Sequence, residues 1–369
     1  MLRTVCRILA IFLVVISLTS SIVSQASAPP VSAESYVLMD ADSGQVLLGQ
    51  NETQEKSIAS TTKIMTALVA IENSRLSDAV TVKKSHLKEG SSMYLAEGEV
   101  VTVEALLYGL LLPSGNDAAE CIADHCGGRE VFLSKMNEKA EQLGMTHSSF
   151  RNPSGLDEDG HYSCALDMAH LAAYAMQNPT FARICATMTA TVGERVMGNH
   201  NKLLGTVEGC VGLKNGFTDD AGRTLVTCCE RDGLRLIAVT LHDSYDKVDH
   251  GALYDYGFSV YHRKNAVRCG ALCGTVAVRS GTETRVKALA ARGFSCCVTD
   301  DAEVTTQLDL LQSVQAPVEK GQVLGELVIL LDGQEIERVP LVSDHMVGSA
   351  LTTAKKSGAA EWLYRLLTK

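Results

Sequence analysis

The stretch Ile58-Ala59-Ser60-Thr61-Thr62-Lys63-Ile64-Met65-Thr66-Ala67-Leu68 joins a polar tetrad to a strongly apolar run. Ile64 to Ile71 has the composition of a buried helix, which puts the tetrad at its start. Three residues apart on a helix, Ser60 and Lys63 share one face, so the lysine nitrogen can reach the serine hydroxyl. The N-terminal end of a helix also favours negative charge developing near that serine. A serine hydroxyl is a poor nucleophile until a base takes its proton, and a desolvated lysine with a lowered pKa can be that base. Taken alone, the tetrad has an ordinary explanation, a serine capping a helix that carries a surface lysine.

Two further strings lie downstream. Ser114-Gly115-Asn116 falls at a break between helical stretches at Val103 to Leu112 and Ala118 to His125. A serine and an asparagine two apart in a loop can both point into one cleft, or one of them can simply cap the next helix. Lys214-Asn215-Gly216-Phe217-Thr218 opens a late strand region. A lysine beside a glycine on a strand edge offers charge for a substrate carboxylate and open backbone for β-type pairing. The competing explanation is a plain Asn-Gly turn.

The order S-x-x-K, then S-x-N, then K-x-G is the signature of serine acyl-transferring enzymes that bind penicillin. With it the chain resembles the low-molecular-mass penicillin-binding proteins that are D-Ala-D-Ala carboxypeptidases, serine peptidases of family S11. Leu112-Pro113-Ser114-Gly115-Asn116-Asp117-Ala118-Ala119, Asn152-Pro153-Ser154-Gly155-Leu156, Gly160-His161-Tyr162-Ser163 and Asp219-Asp220-Ala221-Gly222 are similar to that family. So is Ala316-Pro317-Val318-Glu319-Lys320-Gly321, near the C-terminus.

The resemblance implies a catalytic set of Ser60, Lys63, Ser114 and Asn116, and a substrate-binding set of Lys214, Asn215, Gly216, Phe217 and Thr218. Ser60 would attack the carbonyl of the penultimate D-alanine, with Lys63 as base. Ser114 and Lys214 would pass protons and shape the field, and Asn116 would orient the substrate. The amides of Ser60 and Phe217 would form the oxyanion hole. Peptidoglycan stem peptides and β-lactam antibiotics would be the partners, with no metal and no organic cofactor. The chain departs from the family at Asn215, where threonine or serine is usual, and at Asp243-Ser244-Tyr245-Asp246-Lys247, where the family commonly has an arginine. Recognition of the substrate carboxylate is the step these departures touch, and Lys247 is one candidate substitute. A β-lactamase would share two of the motifs, but no glutamate-bearing motif of the class A type is evident. A wall-binding or regulatory module that keeps the fold and has lost turnover is the reading from outside the enzyme class.

Around these motifs the pattern is α+β. Tyr36 to Met39 and Gln45 to Leu48 flank Asp42-Ser43-Gly44 as an opening hairpin, and Thr224 to Cys229 and Leu234 to Leu241 read as strands turned at Arg231-Asp232-Gly233. Amphipathic helices fit Val131 to Leu143 and Ala165 to Met176. An antiparallel sheet packed with helices follows, the penicillin-binding/β-lactamase-like domain of the resemblance, over 34–262. Short alternating strands with Gly or Asp turns then predict a small all-β domain over 263–348.

The ends read differently. Arg3 and Arg7, an apolar run from Ile8 to about Val23 and small residues at Ala26-Ser27-Ala28 and Val31-Ser32-Ala33 have the form of a secretory signal peptide, placed at 1–33. In 349–369, Trp362, Leu363, Leu366 and Leu367 share one helical face opposite Glu361, Arg365 and Lys369. Such a helix suits a membrane surface, or docking on its own protein. The expected location is the extracytoplasmic face of the membrane or the cell wall. A net charge of −10 over 369 residues argues against nucleic acid as a partner. Twelve cysteines leave eleven once Cys6 departs with the leader, an odd number that cannot all pair internally. Cys228-Cys229 and Cys296-Cys297 sit in apolar runs as small hydrophobes would, and Cys121, His125 and Cys126 lack zinc spacing.

Overall fold

The computed structural model describes residues 27–350. The leader's charged and apolar parts and the helix expected over Ser357 to Lys369 lie outside the described residues. Ser32 and Ala33 are built into the first domain. The Ser32 amide and hydroxyl both donate to Asp249 Oδ2, at 2.6 and 2.7 Å, and Ala33 is buried.

The chain opens with the expected hairpin, β1 (Ser35–Asp40) and β2 (Val46–Gln50). A small pair, β3 (Ala79–Thr81) and β4 (Val100–Thr102), and a hairpin, β5 (Thr189–Val192) and β6 (Arg195–Gly198), decorate the helical middle. Strands β7 (Cys210–Thr218), β8 (Gly222–Arg231) and β9 (Leu234–Leu241) then complete an antiparallel sheet in the order β2-β1-β9-β8-β7. The turn between β8 and β9 has φ of +50° at Asp232 and +77° at Gly233, the left-handed pair that a two-residue hairpin turn requires. Asn215-Gly216 is not a turn. Both residues lie inside β7, facing Leu225 and Thr224 of β8.

Helices cover both faces of this sheet. They are α1 (Lys63–Asn73), α2 (Val103–Leu111), α3 (Asn116–His125), α4 (Arg129–Gln142), α5 (Ala165–Ala175), α6 (Pro179–Cys185) and α7 (Asp246–Val260). Along β9, Ile237 and Val239 pack into the core shared with α1 and α5, while Leu236 and Ala238 pack against Leu253 and Tyr254 of α7. Burial on both faces explains why Leu236-Ile237-Ala238-Val239 in the middle of β9 read as an apolar run rather than an alternating one.

The second domain holds β10 (His262–Val267), β11 (Leu272–Arg279), β12 (Arg285–Ala290), β13 (Phe294–Val298), β14 (Val304–Leu310), β15 (Ser313–Gln315), β16 (Val323–Leu331) and β17 (Gln334–Ser343). Six of them form a sheet in the order β14-β16-β17-β12-β11-β15, closed over a core that includes Val286, Ile329 and Leu341. Arg263 on β10 reaches back to Asp40 and Asp42 beside the first hairpin. Among the described residues no helix is long and apolar enough to cross a membrane.

Candidate active site

The three motifs converge. Ser60 sits in a single 3-10 turn, Ala59–Thr62, that runs directly into α1. Ala59 enters the turn at φ +47°, a left-handed conformation that costs an L-residue on the order of 1 kcal/mol. Gly155 backs onto this turn: a β-carbon there would lie 1.9 Å from Ala59 O, and its own φ is +85°. His161 braces it from the side, with Nε2 2.8 Å from Thr62 Oγ1, while Thr62 Oγ1 donates to Ala59 O. Because His161 Nδ1 accepts the Arg151 amide at 3.0 Å, the proton belongs on Nε2. Burial lowers the His161 pKa to about 4, so the ring is neutral.

Lys63 has no solvent exposure. Its Nζ lies 2.9 Å from Ser60 Oγ, 2.8 Å from Asn116 Oδ1 and within hydrogen-bond reach of Ser154 O. Burial, and secondarily the charge of Lys214, holds its pKa well below the usual lysine range, against an opposing pull from Asp117. The partners fit a neutral amine. The Asn116 and Ser154 oxygens can only accept, so they take its two N–H groups, and the lone pair is left facing the one partner able to donate, the Ser60 hydroxyl. That is the arrangement of a nucleophile and its base.

Asn116 is the first residue of α3, and its amide Nδ2 spends one N–H on Glu89 O at 2.8 Å, leaving the other. The adjacent Asp117 is buried and accepts from Ser92 Oγ and from the Met93 and Leu95 amides, which fastens the 91–95 loop over the site. Ser114 has φ +67° and a buried Oγ with no hydrogen-bond partner. No bond therefore joins it to Lys63 or Lys214 in this state, and the expected relay through Ser114 is not formed.

The third motif lies along β7, where the sheet edge passes Ser60. Lys214 is buried and its Nζ donates to Asn215 O at 2.7 Å. Burial lowers its pKa to about 7. Thr218 Oγ1 donates to Asp157 Oδ1 at 2.8 Å, tying the end of β7 to the loop after Asn152. Phe217 exposes its ring. Asn215 lines a hollow of about 210 Å³ together with Arg223, Lys247, His200 and Lys202. Sequence reasoning reached Lys247 but not Arg223. Arg223 enters because β8 pairs it with Phe217, a register that no local pattern announces. No group of three or more His, Cys, Asp or Glu side chains among the described residues could hold a metal ion.

A helix-packed antiparallel sheet whose edge strand flanks a Ser–Lys pair defines a serine acyl-transferring enzyme of the penicillin-binding fold. Residues 22–245 match the model of the D-alanyl-D-alanine carboxypeptidase family, and residues 259–349 match that of the penicillin-binding protein 5 C-terminal domain. The chain belongs to the D-alanyl-D-alanine carboxypeptidase family and is a serine peptidase. It is 31% identical to the Bacillus subtilis D-alanyl-D-alanine carboxypeptidase DacF over 89% of this chain and 90% of that one. It is also 36% identical to DacB2 of Mycobacterium tuberculosis over 63% of this chain and 84% of that one. Among solved structures, penicillin binding protein 5 from Haemophilus influenzae superposes with a TM-score of 0.78, at 30% identity over 88% of this chain and all of that one.

Proposed function

We propose that this protein removes the terminal D-alanine from peptidoglycan stem peptides through an acyl-enzyme on Ser60. The observation that carries the reading is Lys63 Nζ, buried between Ser60 Oγ and two carbonyl acceptors. In the first half-reaction the amine takes the Ser60 proton and Oγ attacks the carbonyl of the penultimate residue. The oxyanion forms against the amides of Ser60 and Phe217, and D-alanine leaves as its nitrogen takes up the proton. Lys214 supplies field at the leaving side, Ser114 joins the proton path only once its unpartnered Oγ turns to a bound substrate, and Asn116 turns its remaining N–H to the substrate. In the second half-reaction water attacks the ester, and Ser60 is restored. A β-lactam halts at the ester because its leaving group stays tethered.

The D-alanine carboxylate is assigned to the hollow beside Asn215. Arg223, Lys247 and Lys202 offer cations there, with Asp246 also on the wall, in place of the hydroxyl that the family carries at position 215. The substrate lies outside the cytoplasm, so the N-terminal segment is read as an export signal. The segment from Ser357 to Lys369 is read as a surface helix that holds the enzyme against the membrane. In the domain division that goes with this reading, 34–262 is the peptidase domain, onto which Ser32 and Ala33 also pack, and 263–348 the β-domain. Incubation with a synthetic stem pentapeptide tests the reaction: it predicts stoichiometric tetrapeptide and free D-alanine, and cleavage at any other bond would contradict it.

A further inference from the structure

The five-stranded sheet sets two cysteines directly opposite each other. Cys210 on β7 and Cys229 on β8 are antiparallel register partners, and the Glu230 amide donates to Gly209 O at 2.9 Å. A bond between the residues flanking the pair marks it as non-hydrogen-bonded, the type whose Cα atoms lie about 4.5 Å apart with side chains closest. Disulfides span Cα separations of about 4.4–6.8 Å, so the spacing typical of such a pair falls at the short end of the range a disulfide bridges, beside a register shift between Cys210 and Gly212. Both side chains lie on the α7 face of the sheet, whereas neighbouring Cys228 points into the opposite core with Cys185. Among the described residues this is the sole strand pairing that matches two cysteines. The Cys210 thiol donates to Gly212 O at 3.5 Å, on the strand it would tie. A hydrogen bond from Cys229 holds the Cys210 thiol below its ordinary pKa, and the same contact pushes Cys229 up.

We propose that Cys210 and Cys229 form a cross-strand disulfide on contact with a disulfide-bearing oxidant. Half-buried Cys210 is the attacking thiol and Cys229, which is without solvent exposure, the resolving one. The Cys210 thiolate displaces one sulfur of the oxidant to give a mixed disulfide. The Cys229 thiolate then attacks Cys210 Sγ and releases the second sulfur. The protein loses two hydrogens, and the oxidant leaves as two thiols. The consequence is mechanical. Among the described residues β7 is the sheet edge, paired only with β8, and it carries Lys214 four residues beyond Cys210. A covalent tie at this point fastens the substrate-binding strand to the sheet. The inference rests on the proposed extracytoplasmic location only for where the oxidant is met; the chemistry is independent of turnover.

The test is peptide mapping of the purified protein after equilibration with oxidised glutathione, denaturation and alkylation without reductant. The expected result is a linked peptide containing Cys210 and Cys229, with a mass lower by two hydrogens. A Tm several degrees above the dithiothreitol-treated protein accompanies it. Cys210→Ala should lack both the linked peptide and the Tm difference. Ser60→Ala should keep both, which separates this outcome from any failure of the catalytic reading. Full alkylation of both cysteines, or a Cys229 linked to another partner, would overturn the proposal.

Discussion

Gly216 runs so close to Ser60 that a β-carbon on it would lie 2.7 Å from the serine amide nitrogen. The same carbon would meet Thr224 Oγ1 at 2.6 Å and Ala59 Cβ at 2.9 Å, so no flexible tip can yield to it. The requirement here is space, since Gly216 does not have a left-handed backbone. Gly216→Ala should push β7 away from Ser60 and open the oxyanion hole. Loss of one such donor lowers kcat by about 10²–10³. Steady-state kinetics on a stem peptide, with Tm measured in parallel, should show the rate falling far more than the stability.

Burial lowers the Lys63 pKa, and repulsion from Lys214 within the same buried site lowers it further. Removing the charge with Lys214→Gln should raise the Lys63 pKa. With the neutral amine as the proposed base, the acid limb of the acylation profile should move to higher pH. The pH dependence of penicillin acylation measures this directly, because it reports the free enzyme. An unmoved acid limb with a uniformly lower rate would assign Lys214 to binding alone.

Asn215 replaces a hydroxyl with a longer, planar amide, and Asn215→Thr is expected to raise kcat/KM on a D-Ala-D-Ala peptide. Arg223→Gln should act in the opposite direction and with a distinct signature. Loss of a charged contact to a carboxylate costs about 1.5–3 kcal/mol, roughly 10- to 150-fold. The loss should fall on the free-acid peptide and spare its C-terminal amide. Equal losses on both substrates would mean that Arg223 supports the strand rather than reads the carboxylate.

His161 ties acid stability to the nucleophile turn. Its pKa is about 4 in the folded protein against 6.5 in the unfolded chain. Between those values the unfolded chain takes up a proton that the folded protein does not, so stability is lost as pH falls from about 6.5 to 4. The full span corresponds to something on the order of 3 kcal/mol. His161→Gln should flatten the fall in Tm over that window, and an identical pH dependence in the variant would show that other groups carry it.

Much of this architecture was legible locally. The hairpin at Asp42-Ser43-Gly44, the apolar helix after Lys63 and the turn at Asp232-Gly233 follow from period and turn chemistry, and each lies where the residues put it. The motif order pointed to the site because its members sit on three separate elements that the fold must bring together. What escaped local reading depends on distant register. Asn215-Gly216 carries a strong turn signal, yet pairing with β8 and close passage by Ser60 hold it in mid-strand. Arg223 became visible only through that pairing. Gly155 and Asp117 act through surroundings contributed by other segments, respectively the Ala59 carbonyl and the 91–95 amides. Ser114 shows the reverse case, a motif residue whose expected hydrogen bonds are not made.

Ser60, activated by Lys63, is expected to form a covalent acyl-enzyme. Incubation of the purified protein with a fluorescent penicillin, beside Ser60→Ala and Lys63→Ala, tests it most directly. The expected result is a stable label on the wild type, located by peptide mapping to Ser60, with none on Ser60→Ala and a rate on Lys63→Ala lower by at least about 10³. A folded wild-type protein that takes no label, or one that labels equally without Ser60, would contradict it.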